Sequence, residues 1–150
     1  MATLIDYQSN DALLGEGSLP FALTTGTEVP LAVINLSSSN LTDRLVFAGT
    51  VSWQPGLALL TPLLPTLTFR IRQGGFAPNS PVIYQTGDSA FLGTGILIPL
   101  ISNPVTTSFE HTLNPEETGP QVYYLTVSLG NIGSASITGP VHFRGMTISS

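Results

Sequence analysis

The residues able to do chemistry in this chain are few, and their spacing does not suit it. His111 and His142 are the two imidazoles, the side chain that most often holds zinc or moves a proton. His111 shares a strand face with Phe109, and His142 stands between Val141 and Phe143. Neither forms an H-x-x-x-H or H-E-x-x-H pair, so both read as strand histidines rather than ligands. Glu116-Glu117 could supply carboxylates for acid–base work, but the pair sits in the turn cluster Asn114-Pro-Glu-Glu-Thr-Gly-Pro120. Asp43 and Asp88 offer hard oxygen ligands without the spacing of a calcium loop. A serine nucleophile of the hydrolase kind needs a G-x-S-x-G elbow between strand and helix, and the sequence has none. Gly93-Thr94-Gly95 has two glycines of a dinucleotide loop but no third and no following helix. With no cysteine, disulfides, thiolate metal sites and cysteine nucleophiles are excluded. The expectation is no catalytic residue, no metal and no cofactor. Asn35-Leu36-Ser37 and Asn40-Leu41-Thr42 fit the N-glycosylation pattern, which matters only on a eukaryotic secretory route.

The elements that would position such residues are strands. From Phe21 onward the apolar period is two. Short runs at Phe21 to Leu23 and Leu31 to Leu36 flank the turn-prone Thr25-Gly26-Thr27. In Arg44 to Trp53, Leu45, Phe47, Val51 and Trp53 share one face with Gly49. In Thr66 to Arg72, Leu67, Phe69 and Ile71 oppose Thr66, Thr68, Arg70 and Arg72. Val82 to Thr86, Val105 to Thr112 and Gln121 to Leu129 continue the pattern, the last with Tyr123, Leu125, Val127 and Leu129 on one face. Two final strands, Ser134 to Thr138 and Val141 to Ile148, are separated by Gly139-Pro140, and Gly145 reads as a bulge. Alternation of this kind is what half-buried antiparallel strands need. No window has a helical period with caps. The fold class is all-β: one antiparallel β-sandwich of jelly-roll type with about eight strands. The domain spans residues 21–150, and residues 1–20 form an N-terminal arm. The arm reads either as a frayed terminus or first edge strand, or as an arm docked on a neighbouring subunit by strand addition.

Composition sets the function class. Only 9% of the residues are charged, against about 25% in ordinary globular domains. There is no lysine, and nine acids against four arginines give a net charge of −5. Nucleic acid is excluded as a partner, because a phosphate-binding surface needs a basic stripe. The first ten residues have no basic start, apolar run or A-x-A site, so no signal peptide is expected. No stretch reaches the roughly 18–20 apolar residues of a membrane span, and no membrane partner is expected. A surface of Thr, Ser, Asn and Gln with so few charges suits packing against copies of itself, with little dependence on salt.

Two segments break the alternation. Leu57-Ala-Leu-Leu-Thr-Pro-Leu-Leu64 and Ile96-Leu-Ile-Pro-Leu-Ile101 are apolar on both faces, and each contains a proline that no central strand accommodates. They read as core segments or as contacts between subunits. The candidate assembly residues are Leu4, Ile5, Leu13 and Leu14 in the arm, with Leu59, Leu60, Leu63, Leu64, Ile96 and Ile98 in these segments.

The opening Met1-Ala-Thr-Leu-Ile-Asp-Tyr-Gln8 resembles the start of exosporium protein C-like proteins of spore-forming Bacillota. Similar in style are Thr66-Leu-Thr-Phe-Arg-Ile-Arg-Gln-Gly-Gly75 leading to Val82-Ile-Tyr-Gln-Thr86, and Thr106-Thr-Ser-Phe-Glu-His-Thr-Leu-Asn-Pro115. So are Gly119-Pro-Gln-Val-Tyr-Tyr-Leu-Thr-Val127 and the closing Ile137-Thr-Gly-Pro-Val-His-Phe-Arg-Gly-Met-Thr-Ile148. The resemblance spans most of the chain. More loosely, the chain resembles C1q/TNF-like jelly rolls and the jelly-roll subunits of spore appendage fibres. What these resemblances imply is a protein of the spore surface, in exosporium or appendage, made in the mother-cell cytoplasm and released by lysis. Its partners would be itself, as a trimer or filament, and other spore-surface proteins. A second reading is a carbohydrate-binding or adhesive module, which would need exposed aromatic residues in one loop set; alternation turns Trp53, the single tryptophan, inward. A phage or virus jelly-roll component is a third, allowed by charge and strand count but not by the opening motif.

Overall fold

The computed structural model describes residues 1–12, 19–56, 65–90, 104–130 and 133–149. Among them are nine strands: β1 (Leu4–Ala12), β2 (Phe21–Ala22), β3 (Glu28–Ser38), β4 (Arg44–Pro55), β5 (Thr66–Gln73), β6 (Val82–Ser89), β7 (Val105–Leu113), β8 (Gly119–Leu129) and β9 (Ala135–Ile148). They form two antiparallel sheets. The front sheet has the order β1-β9-β4-β7, with β2 also on β9, and the back sheet has the order β3-β8-β5-β6.

The pairing follows one rule. Leu4 meets Ile148, Val33 meets Tyr124, Gly49 meets Phe109, and Phe69 meets Thr86. Each partner lies about as far from the C-terminus as its mate does from the N-terminus. The chain is therefore one long hairpin, β1 to β9, β3 to β8, β4 to β7 and β5 to β6, whose tip is the turn at residues 74–81. Winding that ribbon around a core lays alternate rungs in opposite sheets, which is the jelly roll. Its logic is the sequence alternation: a two-residue period gives every rung one face for the core.

That face is filled. Phe47, Val51, Trp53, Leu67, Ile71, Leu125, Val127, Ile137 and Phe143 are completely or almost completely buried, each side chain contributing about 1.5–3 kcal/mol. Phe47 packs between Tyr123, edge-on at 4.8 Å, and Phe143, stacked at 6.1 Å. Burial pushes the Tyr123 hydroxyl up to about 12, with the charges of Glu116 and Glu117 adding to it, so it is a neutral core group at ordinary pH.

Two expectations about the last strands are corrected. The runs at Ser134 to Thr138 and Val141 to Ile148 are one strand, β9. The irregularity lies between Ile137, opposite Trp53, and Val141, opposite Val51. Gly139-Pro140 bends the strand there without ending it. Gly145 is no bulge: it pairs in register with both Phe47 and Gln8. Its glycine is a packing requirement, because a Cβ there would lie 2.6 Å from the Cδ1 atoms of both Ile34 and Leu36 in the opposite sheet. Gly49 makes room in the same way for the Phe109 ring, whose Cζ would sit 2.3 Å from an added Cβ.

Candidate assembly surface

Of the residues expected to act in assembly, Leu4 and Ile5 are described; Leu13, Leu14, Leu59, Leu60, Leu63, Leu64, Ile96 and Ile98 lie outside the described residues. The expected arm is, over Leu4–Ala12, strand β1 of the chain's own front sheet, paired antiparallel with β9 from Leu4↔Ile148 to Ala12↔Val141. Beyond it, Leu19 is buried in the core and β2 continues along the same side of β9.

β1 is an outer strand, and an outer strand presents a row of backbone groups without a sheet partner. The Tyr7 N–H shows which groups these are. It donates to Asp6 Oδ1 at 2.8 Å, so it points away from β9, and the two-residue period turns the Ser9 and Asp11 amides the same way. Asp6 Oδ2 also accepts the Ser37 N–H of β3 at 2.8 Å. One carboxylate thus ties the edge of the front sheet to the edge of the back sheet. The side chains around it are apolar and open to solvent. Among the described residues, eight large hydrophobic side chains are exposed, and four of them are Met1, Leu4, Ile5 and Tyr7. A fifth, Val33, lies on β3.

The opposite side of the sandwich, where β6 and β7 meet, is closed. Trp53 Nε1–H donates to Thr107 Oγ1 at 3.0 Å, and the Thr107 hydroxyl donates to Asp88 Oδ2 at 2.5 Å. Tyr84 of β6 stacks on His111 of β7 at 4.6 Å and lies 5.4 Å from Phe109. Asp88, read in the sequence as an oxygen donor, thus serves a buried indole through a hydroxyl. Trp53 has no exposed surface and offers no face on which a sugar could stack.

Several other polar residues are occupied by the fold. On the outer side of the back sheet, Glu28 of β3 reaches over β8 to both arginines of β5. It binds Arg70 Nη1 at 2.7 Å, and it takes Arg72 through Nε and, at 3.2 Å, Nη2. Arg72 is almost fully buried and also donates to the Ser80 carbonyl at 2.5 Å, while Arg70 binds Gln85 and Ser128. Burial alone would raise the Glu28 carboxyl, but the hydrogen bond and charge of Arg72, with the charge of Arg70, hold it below its ordinary 4.5. Asp43 is buried and caps the turn before β4, accepting the Ser39 and Asn40 N–H groups at 2.8 Å. His142 pairs with Asp11 of β1. Among the described residues no three His, Asp or Glu side chains converge as a metal site would need. No described helix is long and apolar enough to cross a membrane.

Sequence reading missed the Asp6 clamp, the Trp53–Thr107–Asp88 relay and the role of Glu28. Only the last had a visible signal. Two of the four arginines, Arg70 and Arg72, sit two residues apart on one face of Thr66 to Arg72, a pair of like charges that a carboxylate on a neighbouring strand would relieve.

No known family model and no curated protein matches the sequence. Solved structures do match in shape. A chain in the structure of the infectious bursal disease virus Gx strain has a TM-score of 0.51 and 11% identity, over 97% of this chain and 41% of that one. A chain of the infectious bursal disease virus VP2 subviral particle has a TM-score of 0.39 and 14% identity, over 95% of this chain and 39% of that one. This chain spans about two fifths of either, and what it shares with the first is the β-sandwich fold.

Proposed function

We propose that the chain is a structural subunit that assembles with copies of itself by strand addition along β1, and that it does so at the spore surface. The observation that carries the assembly reading is β1: an outer strand with outward amides at Ser9 and Asp11 and with exposed Leu4, Ile5 and Tyr7 beside them. Soluble monomers blunt such an edge with lysine, proline or inward charges. Here Asp6 covers one amide, and the chain has no lysine. The low charge of the whole surface supports the same reading, since little repulsion opposes close packing of copies. The spore surface rests on the resemblance of the opening and closing motifs to exosporium protein C-like proteins.

The test is Ser9→Pro. Proline removes an amide that points away from β9, so β1–β9 pairing survives while an incoming strand loses a partner. Purified wild-type protein should form sheets or fibres by negative-stain electron microscopy, in low and in high salt. The variant should remain folded by circular dichroism and form none. A folded Ser9→Pro that assembles like the wild type would overturn strand addition at β1. Immunogold labelling of intact spores and mother cells tests the location, and label absent from the spore surface would overturn that part.

A further inference from the structure

The outer face of the front sheet is self-complementary in charge, and we infer that a second copy of this chain docks on it face to face about a twofold axis running along β4. This goes beyond edge assembly, because it uses a different surface and closes after two copies.

The argument is in the register. Three rows cross the sheet with their side chains outward: Tyr7–Met146–Val46–Thr112, Ser9–Arg144–Ala48–Glu110 and Asp11–His142–Thr50–Ser108. The centre of each lower row is small, Ala48 or Thr50. The hydroxyls of Thr50 and Ser108 lie 3.3 Å apart, and those of Ser52 and Thr106 lie 3.0 Å apart, leaving the middle of the face low and polar but uncharged. Arg144 and Glu110 stand on either side of Ala48, are exposed, and form no ion pair among the described residues. The result is a shallow open depression lined by Ala48, Thr50, Ser108, Glu110, His142 and Arg144.

Neighbouring strands are about 4.8 Å apart, so Arg144 and Glu110 are equally displaced from β4 in opposite directions. A twofold axis along β4 lays each Arg144 over the Glu110 of the other copy, forming two ion pairs. It also places Thr50 against Thr50 and His142 against Ser108. The alternative in-plane axis, across the strands, would bring arginine to arginine and glutamate to glutamate. Charge therefore selects one axis. Asp11 does not compete for Arg144, because it is engaged by His142. The small central residues allow the approach of about 10 Å at which sheets pack.

The experiment is sedimentation equilibrium in the Ser9→Pro background, where edge addition is blocked. The expected result is a dimer. Arg144→Glu and Glu110→Arg should each raise its dissociation constant by about tenfold or more, since symmetry turns one substitution into two like-charge contacts. The double exchange should restore the dimer, and 1 M salt should weaken it. Ala48→Arg, half-buried on the outer face of the sheet, should abolish it. A monomer at every concentration in the Ser9→Pro background would overturn the inference. So would single exchanges without effect or a double exchange that fails to rescue. Fibres without this dimer would refute the face and leave the edge; a dimer without fibres would do the reverse.

Discussion

The two sides where the sheets meet are closed by the same residue type and are physically opposite. At β6/β7, Asp88 accepts from Thr107, which holds the indole of a fully buried tryptophan, and Tyr84 stacks across the join. At β1/β3, Asp6 accepts an exposed N–H from Tyr7 and a half-buried one from Ser37, among exposed Leu4, Ile5 and Tyr7. A buried polar group that lost its partner would cost its full desolvation energy, whereas an exposed one is resupplied by water. The first side therefore depends on its buried partners. The second can exchange its contacts, which is what an assembling edge requires. The burial of the group that each aspartate serves, and not residue type, separates the two sides.

The largest expected effect comes from showing that β3, although it borders the open side, is anchored from its own sheet. Glu28→Ala strips Arg70 and the almost fully buried Arg72 of their shared carboxylate. Leaving a buried charge unpaired should cost about 3 kcal/mol, measured by urea denaturation. A loss no greater than that at an exposed site would mean that Asp6 and not Glu28 holds β3. The pH dependence has a definite sign. The Glu28 carboxyl is held below 4.5 in the folded chain, so the unfolded chain binds the proton more readily. The stabilisation is complete above 4.5 and is lost as pH falls through the lower folded value. Glu28→Gln should flatten that acid limb.

Next in size is the closed side. Thr107→Val keeps the shape but removes the hydroxyl that accepts from Trp53 and donates to Asp88. Two groups lose their partner, and about 2 kcal/mol of stability should go with them. Trp53 fluorescence reports on the site directly, because it is the only indole in the chain. An unchanged midpoint together with unchanged emission would break the contrast between the two sides.

The strands and their buried faces were legible in the sequence because alternation is local. Leu67, Phe69 and Ile71 opposite Thr68 and Arg70 need no partner to be recognised, and all three are buried. Register was not legible. Nothing in Gly49 announces Phe109 across from it, and Gly145 reads as a bulge until the opposite sheet supplies Ile34 and Leu36. The same limit hid both aspartate clamps. Asp6 and Asp88 each bind a group on a strand of the other sheet, so their roles exist only once the hairpin has been wound. Of the proposed assembly surface, Leu4 and Ile5 stand out in the sequence as apolar residues in a polar opening. That they belong to an outer strand of the chain's own sheet depends on β9, at the far end of the sequence.

The smallest expected effect on stability is also the most informative about assembly. Asp6→Ala removes acceptors from two backbone N–H groups, at exposed Tyr7 and half-buried Ser37, on an edge that water reaches. The cost should be about 1 kcal/mol or less, well under that of Thr107→Val. Its consequence for association should run the other way. Asp6 occupies an edge amide that an incoming strand would otherwise use, and its charge repels another copy approaching the same edge. Its removal should speed fibre formation in light-scattering time courses, even though the folded subunit is slightly less stable. Acceleration from general unfolding would also appear in Thr107→Val, which is the more destabilised of the two. Faster assembly in Asp6→Ala than in Thr107→Val therefore assigns the effect to the uncovered edge. The opposite order would mean that association follows stability, and that the β1 edge is not where copies meet.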